Sequence, residues 1–322
     1  MDQSRNDASV HCCAECGEEG GISLKVCKAC MVAKYCNANC QRNHWPTHKQ
    51  ECKRRAAEIY DEALFKDPPD KEDCPICFLP MPYELVSCVS LPPATITSVP
   101  IHDFAEANEE LANMTTETYF SCCGKSICKG CIHSFKSLNI GTCPFCNSDH
   151  VNKTDDERVQ ELMKRVEVND AGAMTVLGSN YYHGQLGLQH DWARAMELWK
   201  QAGILGSHAL GNEYHEGGNS KKEKFHYEAA AMAGHEVARL NLGAIEMKSR
   251  NSQRAVKHWT IAASTGNHTA MKNILIAYNQ GRGISRHEID LTLTAYNNAC
   301  AEMRSKARDA FIRMTVDRIG GR

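Results

Sequence analysis

The sequence predicts a mainly α protein in which two small Cys-rich fingers precede an α/α solenoid. Two observations carry this. Seventeen of the eighteen cysteines lie before residue 147, mostly in pairs two or three residues apart, and only Cys300 lies after it. Beyond residue 154 the chain is Ala-rich and repeats pairs of large and small residues at helical spacing.

Composition narrows the function classes. At 322 residues the chain has room for about two domains of ordinary size. It is 42% hydrophobic and 24% charged, with a formal net charge of -2, so it has no global nucleic-acid signature. No apolar run approaches the ~18 residues of a membrane span. Met1 to Val10 is polar, without the apolar centre of a secretory signal. An intracellular protein, cytoplasmic or nuclear, is expected. In a reducing compartment eighteen cysteines point to metal rather than to disulfides.

The first finger is the clearest stretch. Cys13-x2-Cys16, Cys27-x2-Cys30, Cys36-x3-Cys40 and His48-x3-Cys52 supply eight donors in paired spacing, enough for two closed tetrahedral zinc sites. Within the last two pairs a step of four residues puts both side chains on one helix face. Cys36, Cys40, His44, His48 and Cys52 recur every four residues, and each step drifts by roughly 40° on a helix of 3.6 residues per turn. The ends of that stripe therefore cannot face one ion. Pro46 suits the start of a new helix, which would carry His48 and Cys52 and extend over residues 53–66. Cys12 fits a knuckle with Cys16 less well than Cys13 does. His44 reads as a packing or surface histidine, because eight seats are already filled. The basic residues Lys25, Lys28, Lys34, Arg42, Lys49, Lys53, Arg54 and Arg55 are expected to offset the charge of the thiolates, not to bind nucleic acid.

The residues between the donors are as informative. Tyr35-Cys36, Cys40-Gln41, Trp45, His48-Lys49 and Cys52 fall at the offsets of the MYND finger, which residues 13–52 closely resemble. The resemblance implies interleaved ligands: Cys13, Cys16, Cys36 and Cys40 on one ion, and Cys27, Cys30, His48 and Cys52 on the other. It also implies a partner class, short proline-containing peptides of other proteins. The zinc would be structural, its binding free energy of order 10–16 kcal/mol serving as folding free energy.

Asp67-Pro68-Pro69-Asp70 reads as a linker. Then come Cys74-x2-Cys77, Cys122-Cys123, Cys128-x2-Cys131 and Cys143-x2-Cys146, again eight seats. Residues 74–146 resemble a RING-type finger of the all-cysteine kind. That resemblance implies a cross-brace over two more zinc ions, with Cys74, Cys77, Cys128 and Cys131 on one and Cys122, Cys123, Cys143 and Cys146 on the other. The sequence departs from the family in three ways: adjacent third and fourth ligands, a long first loop over 78–121, and no histidine at the fourth seat. Cys88 competes with Cys122 for a seat. Asp103 with Glu106 and the row Phe104, Ala107, Leu111, Met114 predict a helix inside the loop. Ile132, Phe135 and Leu138 read as core; His133 and His150 read as structural or exposed. Active members of the family grip a ubiquitin-conjugating enzyme through a hydrophobic residue between the first two ligands and a proline after the seventh. Here these are Ile76 and Pro144. Many also carry a basic residue after the last ligand, where this chain has Asn147.

The solenoid is expected over 154–318. Thr154 with Glu157 has capping-box spacing, followed by the apolar face Val159, Leu162, Met163 and Val166. An aliphatic residue precedes an aromatic by four at Leu177/Tyr181, Leu210/Tyr214 and Ile274/Tyr278; in the third copy Leu242 is followed by Glu246. An aromatic precedes alanine by three at Trp199/Ala202, Tyr227/Ala230, Trp259/Ala262 and Tyr296/Ala299, and Gly206, Gly234 and Gly266 follow the first three of these aromatics by seven. Leu177-Gly178 with Tyr181, and Ala195-x3-Trp199-x2-Ala202, resemble Sel-type repeats, relatives of the tetratricopeptide repeat. About four units are expected over 169–299, with a capping helix near 301–318. The second unit looks about one turn short, since Gly206 stands only four residues before Leu210 while Gly234 stands eight before Leu242. The aromatics read as solenoid core, Cys300 as a buried small hydrophobe, and Gly281-Arg282-Gly283 as a turn rather than a phosphate loop.

No nucleophile–base constellation stands out. Two functions are expected from the modules. One is a zinc-dependent adaptor that recruits peptide partners through the MYND finger and the repeats. The other is a RING-type ubiquitin-protein ligase that recruits a ubiquitin-conjugating enzyme through the second finger.

Overall fold

The computed structural model describes residues 12–18, 24–82, 117–138, 141–149 and 152–320. Cys88, His150 and the helix expected around Phe104 to Met114 lie outside them. The chain forms two compact units, Met1–Lys66 and Asp67–Arg322.

In the first unit a short antiparallel ribbon, β1 (Lys25–Val26) and β2 (Lys34–Tyr35), leads into the helix α1 (Ala38–Leu64). Asn37 caps α1, its side-chain oxygen accepting from the amides of Asn39 (2.9 Å) and Cys40 (3.0 Å). Here the expectation of a fresh helix at Pro46 fails, because α1 runs through Pro46 without a break. Proline removes one donor from a helix, and residues on both sides of it keep helical geometry. The core of the unit is made largely of the donors themselves: Cys13, Cys27, Cys30 and Cys52 are buried together with Tyr35.

In the second unit the Cys74–Cys77 knuckle comes first, and then a hairpin, β3 (Glu117–Phe120) and β4 (Lys125–Cys128), which pair antiparallel with Glu117 opposite Cys128. Helix α2 (Lys129–Ser137) follows. The rest is helical: α3 (Asp155–Glu167), α4 (Ala171–His183), α5 (Trp192–Gln201), α6 (Ile204–Glu216), α7 (Ser220–Met232), α8 (Glu236–Lys248), α9 (Ser252–Ser264), α10 (His268–Asn279), α11 (Arg286–Met303) and α12 (Lys306–Gly320). The Thr154–Glu157 capping box is formed in both directions. The break between α11 and α12 falls at Arg304–Ser305, a few residues later than the sequence pattern places the last helix.

Pairing in the solenoid depends on glycine. Trp199, Tyr227, Trp259 and Tyr296 are all buried. In three units the ring lies on the glycine that follows the aliphatic residue of the preceding helix. A Cβ on Gly178 would sit 2.7 Å from the Trp199 ring nitrogen, on Gly211 2.5 Å from the Tyr227 ring, and on Gly243 2.2 Å from the Trp259 ring nitrogen. The indole N–H of Trp259 donates to the carbonyl of Leu240 at 3.2 Å, and the phenol of Tyr227 to the side chain of Asn212 at 2.7 Å. Where the third unit lacks its tyrosine, Glu246 is buried and accepts from Lys224 (2.8 Å), Asn251 (2.8 Å) and Arg254 (3.3 Å). Burial opposes its ionisation, but these partners, Lys224 first, hold its pKa below the usual range.

The missing turn of the second unit lies in α5. That helix stops two residues after Trp199, whereas α7 and α9 continue for five residues after Tyr227 and Trp259. Gly203 (φ 63°) then makes the turn that Gly234 (φ 93°) and Gly266 (φ 96°) make elsewhere, and Gly206 falls inside α6.

The Cys-rich part of this unit is packed into the solenoid. Tyr119 of β3 donates to Asp170 at 2.9 Å, and Arg165 pairs with the same carboxylate at 2.8 Å. Ser121 and Lys153 both reach Glu161, at 2.7 and 2.6 Å. The segment before Cys74 lies on the solenoid too, with Pro69 against Gly234 and the Lys71 ammonium donating to the carbonyl of Thr265 at 2.8 Å. Helix α12 returns onto α2, with the rings of His133 and Phe311 6.1 Å apart.

Candidate metal centres

Four groups of four donors stand out among the described residues. They are Cys13, Cys16, Cys36 and Cys40; Cys27, Cys30, His48 and Cys52; Cys74, Cys77, Cys128 and Cys131; and Cys122, Cys123, Cys143 and Cys146. Within each group every donor atom lies within 4.8 Å of the others. A tetrahedron with Zn–S arms of ~2.3 Å has edges of roughly 3.8 Å. Most sulfur pairs lie near that edge: 3.6 Å for Cys16–Cys36, 3.7 Å for Cys27–Cys52, 3.8 Å for Cys77–Cys128 and 3.7 Å for Cys123–Cys143, with Cys36–Cys40 shorter at 3.2 Å. Nε2 of His48 is 3.4 Å from the Cys30 sulfur. The donor sets therefore fit zinc, and each has the four seats of a closed site.

One local device presents half of these donors. In each Cys-x2-Cys knuckle outside helix α2, the amide just after the second cysteine donates back to the carbonyl of the first. The pairs are Gly17 to Cys13 (2.9 Å), Met31 to Cys27 (2.9 Å), Phe78 to Cys74 (2.8 Å) and Asn147 to Cys143 (2.9 Å). That closing residue takes a left-handed backbone in all four: φ is 71° at Gly17, 56° at Met31, 54° at Phe78 and 57° at Asn147. Asparagine tolerates that region better than most residues, so the turn itself accounts for Asn147. The adjacent pair uses a variant. Gly124 (φ 73°) donates to the carbonyl of Phe120 at 2.8 Å, so Cys123 holds the second seat of a turn whose first seat is Phe120.

The electrostatics also call for a cation. The first sulfur of each of these knuckles is drawn toward thiolate. The Cys16 amide brings Cys13 down to about 6. Burial opposes ionisation of Cys27, yet the Cys30 amide and then His48 lower it to about 6. Cys74 falls to about 4, chiefly through the Cys128 side chain. Cys52 and Cys131 move in the opposite sense: burial and then neighbouring thiols push them up to about 12. Four sulfurs this close cannot all ionise without a bound positive charge.

Cys12 and His44 stand outside the four groups. His44 meets the Tyr35 hydroxyl through Nδ1 at 3.0 Å and stacks on His48, their rings 5.4 Å apart. Two of the basic residues of the first finger have carboxylate partners. Arg54 pairs with Glu51 and Glu58, and Arg55 with Glu58 and Glu62. Among the described residues, two side-chain amides donate to sulfur, Asn37 to Cys36 (3.4 Å) and Gln41 to Cys27 (3.9 Å), and the Cys16 sulfur meets the Glu18 carboxylate at 4.0 Å. Cys122 takes a seat in the fourth group. Ile76 is half-buried against the second finger's core, Pro144 is exposed, and Phe78, two residues after Ile76, is 76% exposed.

Sequence reasoning missed Arg308. It lies on α12, is 3% exposed, and places its guanidinium against the sulfurs of Cys128 (3.4 Å) and Cys77 (3.5 Å). Nothing in the spacing of a helix 180 residues downstream signals that approach. No described helix is long and apolar enough to cross a membrane.

The MYND finger family model matches residues 13–52. The similar curated proteins include human histone-lysine N-methyltransferase SMYD3, 56% identical over 34 residues, which are 11% of this chain and 8% of that protein. Tudor domain-containing protein 1 of Oryzias latipes is 34% identical over 65 residues, 20% of this chain and 5% of that one. N-lysine methyltransferase SMYD2-B of Danio rerio is 53% identical over 34 residues, 11% and 8% of the two chains. The chain thus spans less than a tenth of the length of these relatives. Among solved structures, a Sel1 repeat protein from Oxalobacter formigenes is similar over 54% of this chain and 71% of its own, with 21% identity and a TM-score of 0.41. The chain carries a MYND finger ahead of a second Cys-rich cross-brace and a solenoid of paired helices.

Proposed function

We propose that the protein is a zinc-dependent interaction adaptor. Its MYND finger would recruit short proline-containing peptides, and its helical repeats would hold a second protein. The carrying observation is the set of four complete four-donor groups: closed sites of this kind serve structure, whereas catalytic zinc keeps an open seat. On this reading the ions are zinc, two in residues 13–52 and two in residues 74–146, and the protein works inside the cell, in cytoplasm or nucleus. The first finger exposes Met31 (63%), Val32 (62%) and Trp45 (41%), apolar side chains suited to a peptide. The test is binding of fluorescent proline-containing peptides to the zinc-loaded chain. Saturable binding that weakens at least tenfold in Trp45→Ala supports the reading; equal binding to proline-free controls defeats it.

A second reading, a RING-type ubiquitin-protein ligase, draws on Ile76 and Pro144. The exposure of Pro144 and of Phe78, two residues after Ile76, favours it. Such a ligase would act by orienting a bound conjugate, with no covalent chemistry of its own. Incubation with activating enzyme, a panel of conjugating enzymes, ubiquitin and ATP decides the matter. Chain formation abolished by Ile76→Ala speaks for the ligase; inactivity across the panel, with all zinc retained, speaks for the adaptor alone.

A further inference from the structure

We propose that Arg308 is a positioning residue of the zinc site built from Cys74, Cys77, Cys128 and Cys131, so that the solenoid's last helix is a component of the second finger. The inference rests on the reading of those four cysteines as zinc ligands. Four thiolates around one divalent ion leave a formal charge of about -2. Arg308 brings the only kind of group that can offset that charge while also donating several fixed hydrogen bonds. Nε lies 3.4 Å from the Cys128 sulfur and Nη2 3.5 Å from the Cys77 sulfur. The rest of the fork is locked by carbonyls: Nη1 donates to Pro80 (2.8 Å) and Met303 (2.7 Å), and Nη2 to Leu79 (3.2 Å). Leu79 and Pro80 follow the Cys74–Cys77 knuckle directly, so one guanidinium ties both halves of the site together.

The approach is built into the backbone. Gly130 stands between Cys128 and Cys131, and a Cβ there would come within 2.7 Å of the Arg308 amide nitrogen. Only glycine lets α12 come this close. Ser305 begins α12, its hydroxyl accepting from the Arg308 amide at 3.2 Å, which fixes where on the helix Arg308 stands. In the first finger, among the described residues, the side chains donating to sulfur from outside the donor sets are the neutral amides of Asn37 and Gln41, so a cation at this site sets it apart. N–H donors and positive charge withdraw electron density from thiolate sulfur, which slows its protonation and its loss to competing chelators. Partners of this type change metal affinity by ~10–100-fold in other proteins.

The test uses the full chain with cadmium in place of zinc, read by cadmium NMR, in which each site gives its own resonance. Arg308→Gln removes the charge, and Arg308→Lys keeps it while losing the fork. Phe311→Ala loosens the packing of α12 on α2 and leaves the guanidinium alone. We expect one all-sulfur resonance to move in both Arg308 variants, with release of that ion to a chelator accelerated tenfold or more. The other sites and the helical circular dichroism should keep their wild-type values, and Phe311→Ala should leave the resonance in place. An unmoved resonance in both Arg308 variants overturns the proposal. So does loosening of every site together with lost helicity in Arg308→Lys, which would make Arg308 a general support of α12. If the wild-type chain gives no resonance for this site, the zinc reading itself fails and the proposal with it.

Discussion

The ammonium of Lys71 lies 2.5 Å from the carboxylate of Glu236, and the carboxylate is 2% exposed. The same ammonium donates to the Thr265 carbonyl at 2.8 Å and approaches the Met303 sulfur at 3.4 Å. A residue from the apparent linker thus plugs the junction between the helical pairs. Burial pushes the Glu236 carboxyl up and Lys71 opposes that shift, so removing the ammonium leaves a buried carboxyl that is either unpaired or must take up a proton, at a cost of up to about 3–5 kcal/mol. We expect Lys71→Met to lower the urea midpoint of the second unit strongly, with the loss read by circular dichroism. The double variant Lys71→Met/Glu236→Leu should recover most of that loss. Equal midpoints for Lys71→Met and wild type would remove the pair as a stabilising contact.

The glycines beneath the rings make a second test. Gly243→Ala would gain about 1 kcal/mol of helix propensity in isolation. Its methyl would instead meet the Trp259 ring at 2.2 Å. Overpacking of this kind costs about 1–3 kcal/mol, so the net effect on the thermal midpoint should be a decrease. Gly217→Ala is the control. Gly217 has φ -76° at the end of α6, and a Cβ there meets only the Glu213 carbonyl at 3.4 Å. It should be neutral or stabilising.

What could be read in the sequence follows from the range of each interaction. Donor pairs such as Cys13-x2-Cys16 are local, and a tetrahedral ion demands that spacing whatever surrounds it. Aromatic–alanine pairs such as Trp259/Ala262 are also local, set by the helical turn. The partners of Lys71 and Arg308 are not, since each side chain reaches an element more than 150 residues away. The roles of Gly211 and Gly243 stayed hidden for a related reason. Mid-helix glycine looks like a defect until the facing ring is known. Pro46 misled in the other direction, because a proline carries a local rule for ending helices that α1 overrides.

Among the described residues Cys122 stands with Cys123, Cys143 and Cys146, and we propose that it, rather than Cys88, holds the seat. Metal analysis of the purified chain should give about four zinc ions. Cys88→Ser should keep all four, whereas Cys122→Ser should lose one. The opposite pattern would reassign the seat, and a wild-type content near two would remove zinc from the second finger altogether.

Acid should loosen the solenoid through its histidines. His208 and His235 stack with ring centroids 4.2 Å apart. Burial lowers the pKa of His208 to about 4. Burial, and then the proximity of His208, lowers that of His235 to about 3. The geometry requires the neutral form of His235, whose Nδ1 accepts from the Ala238 amide at 3.3 Å and caps α8. In the unfolded chain both would titrate near the ordinary value of ~6.5. Below that value the unfolded state binds more protons than the folded one, so stability falls with pH. The contribution is therefore fully present above pH ~6.5 and is lost as pH drops toward about 4, at no more than ~1.4 kcal/mol per pH unit for each group. Urea midpoints at neutral pH and at pH ~5 should differ accordingly. His235→Asn keeps a side chain that caps a helix but does not titrate, so it should lessen the dependence, with His208, His258 and His268 still contributing, without lowering the neutral-pH midpoint. Zinc content followed in the same samples separates this effect from loss of metal. A wild-type midpoint that stays constant over this range while zinc remains bound would refute a role for the stacked pair.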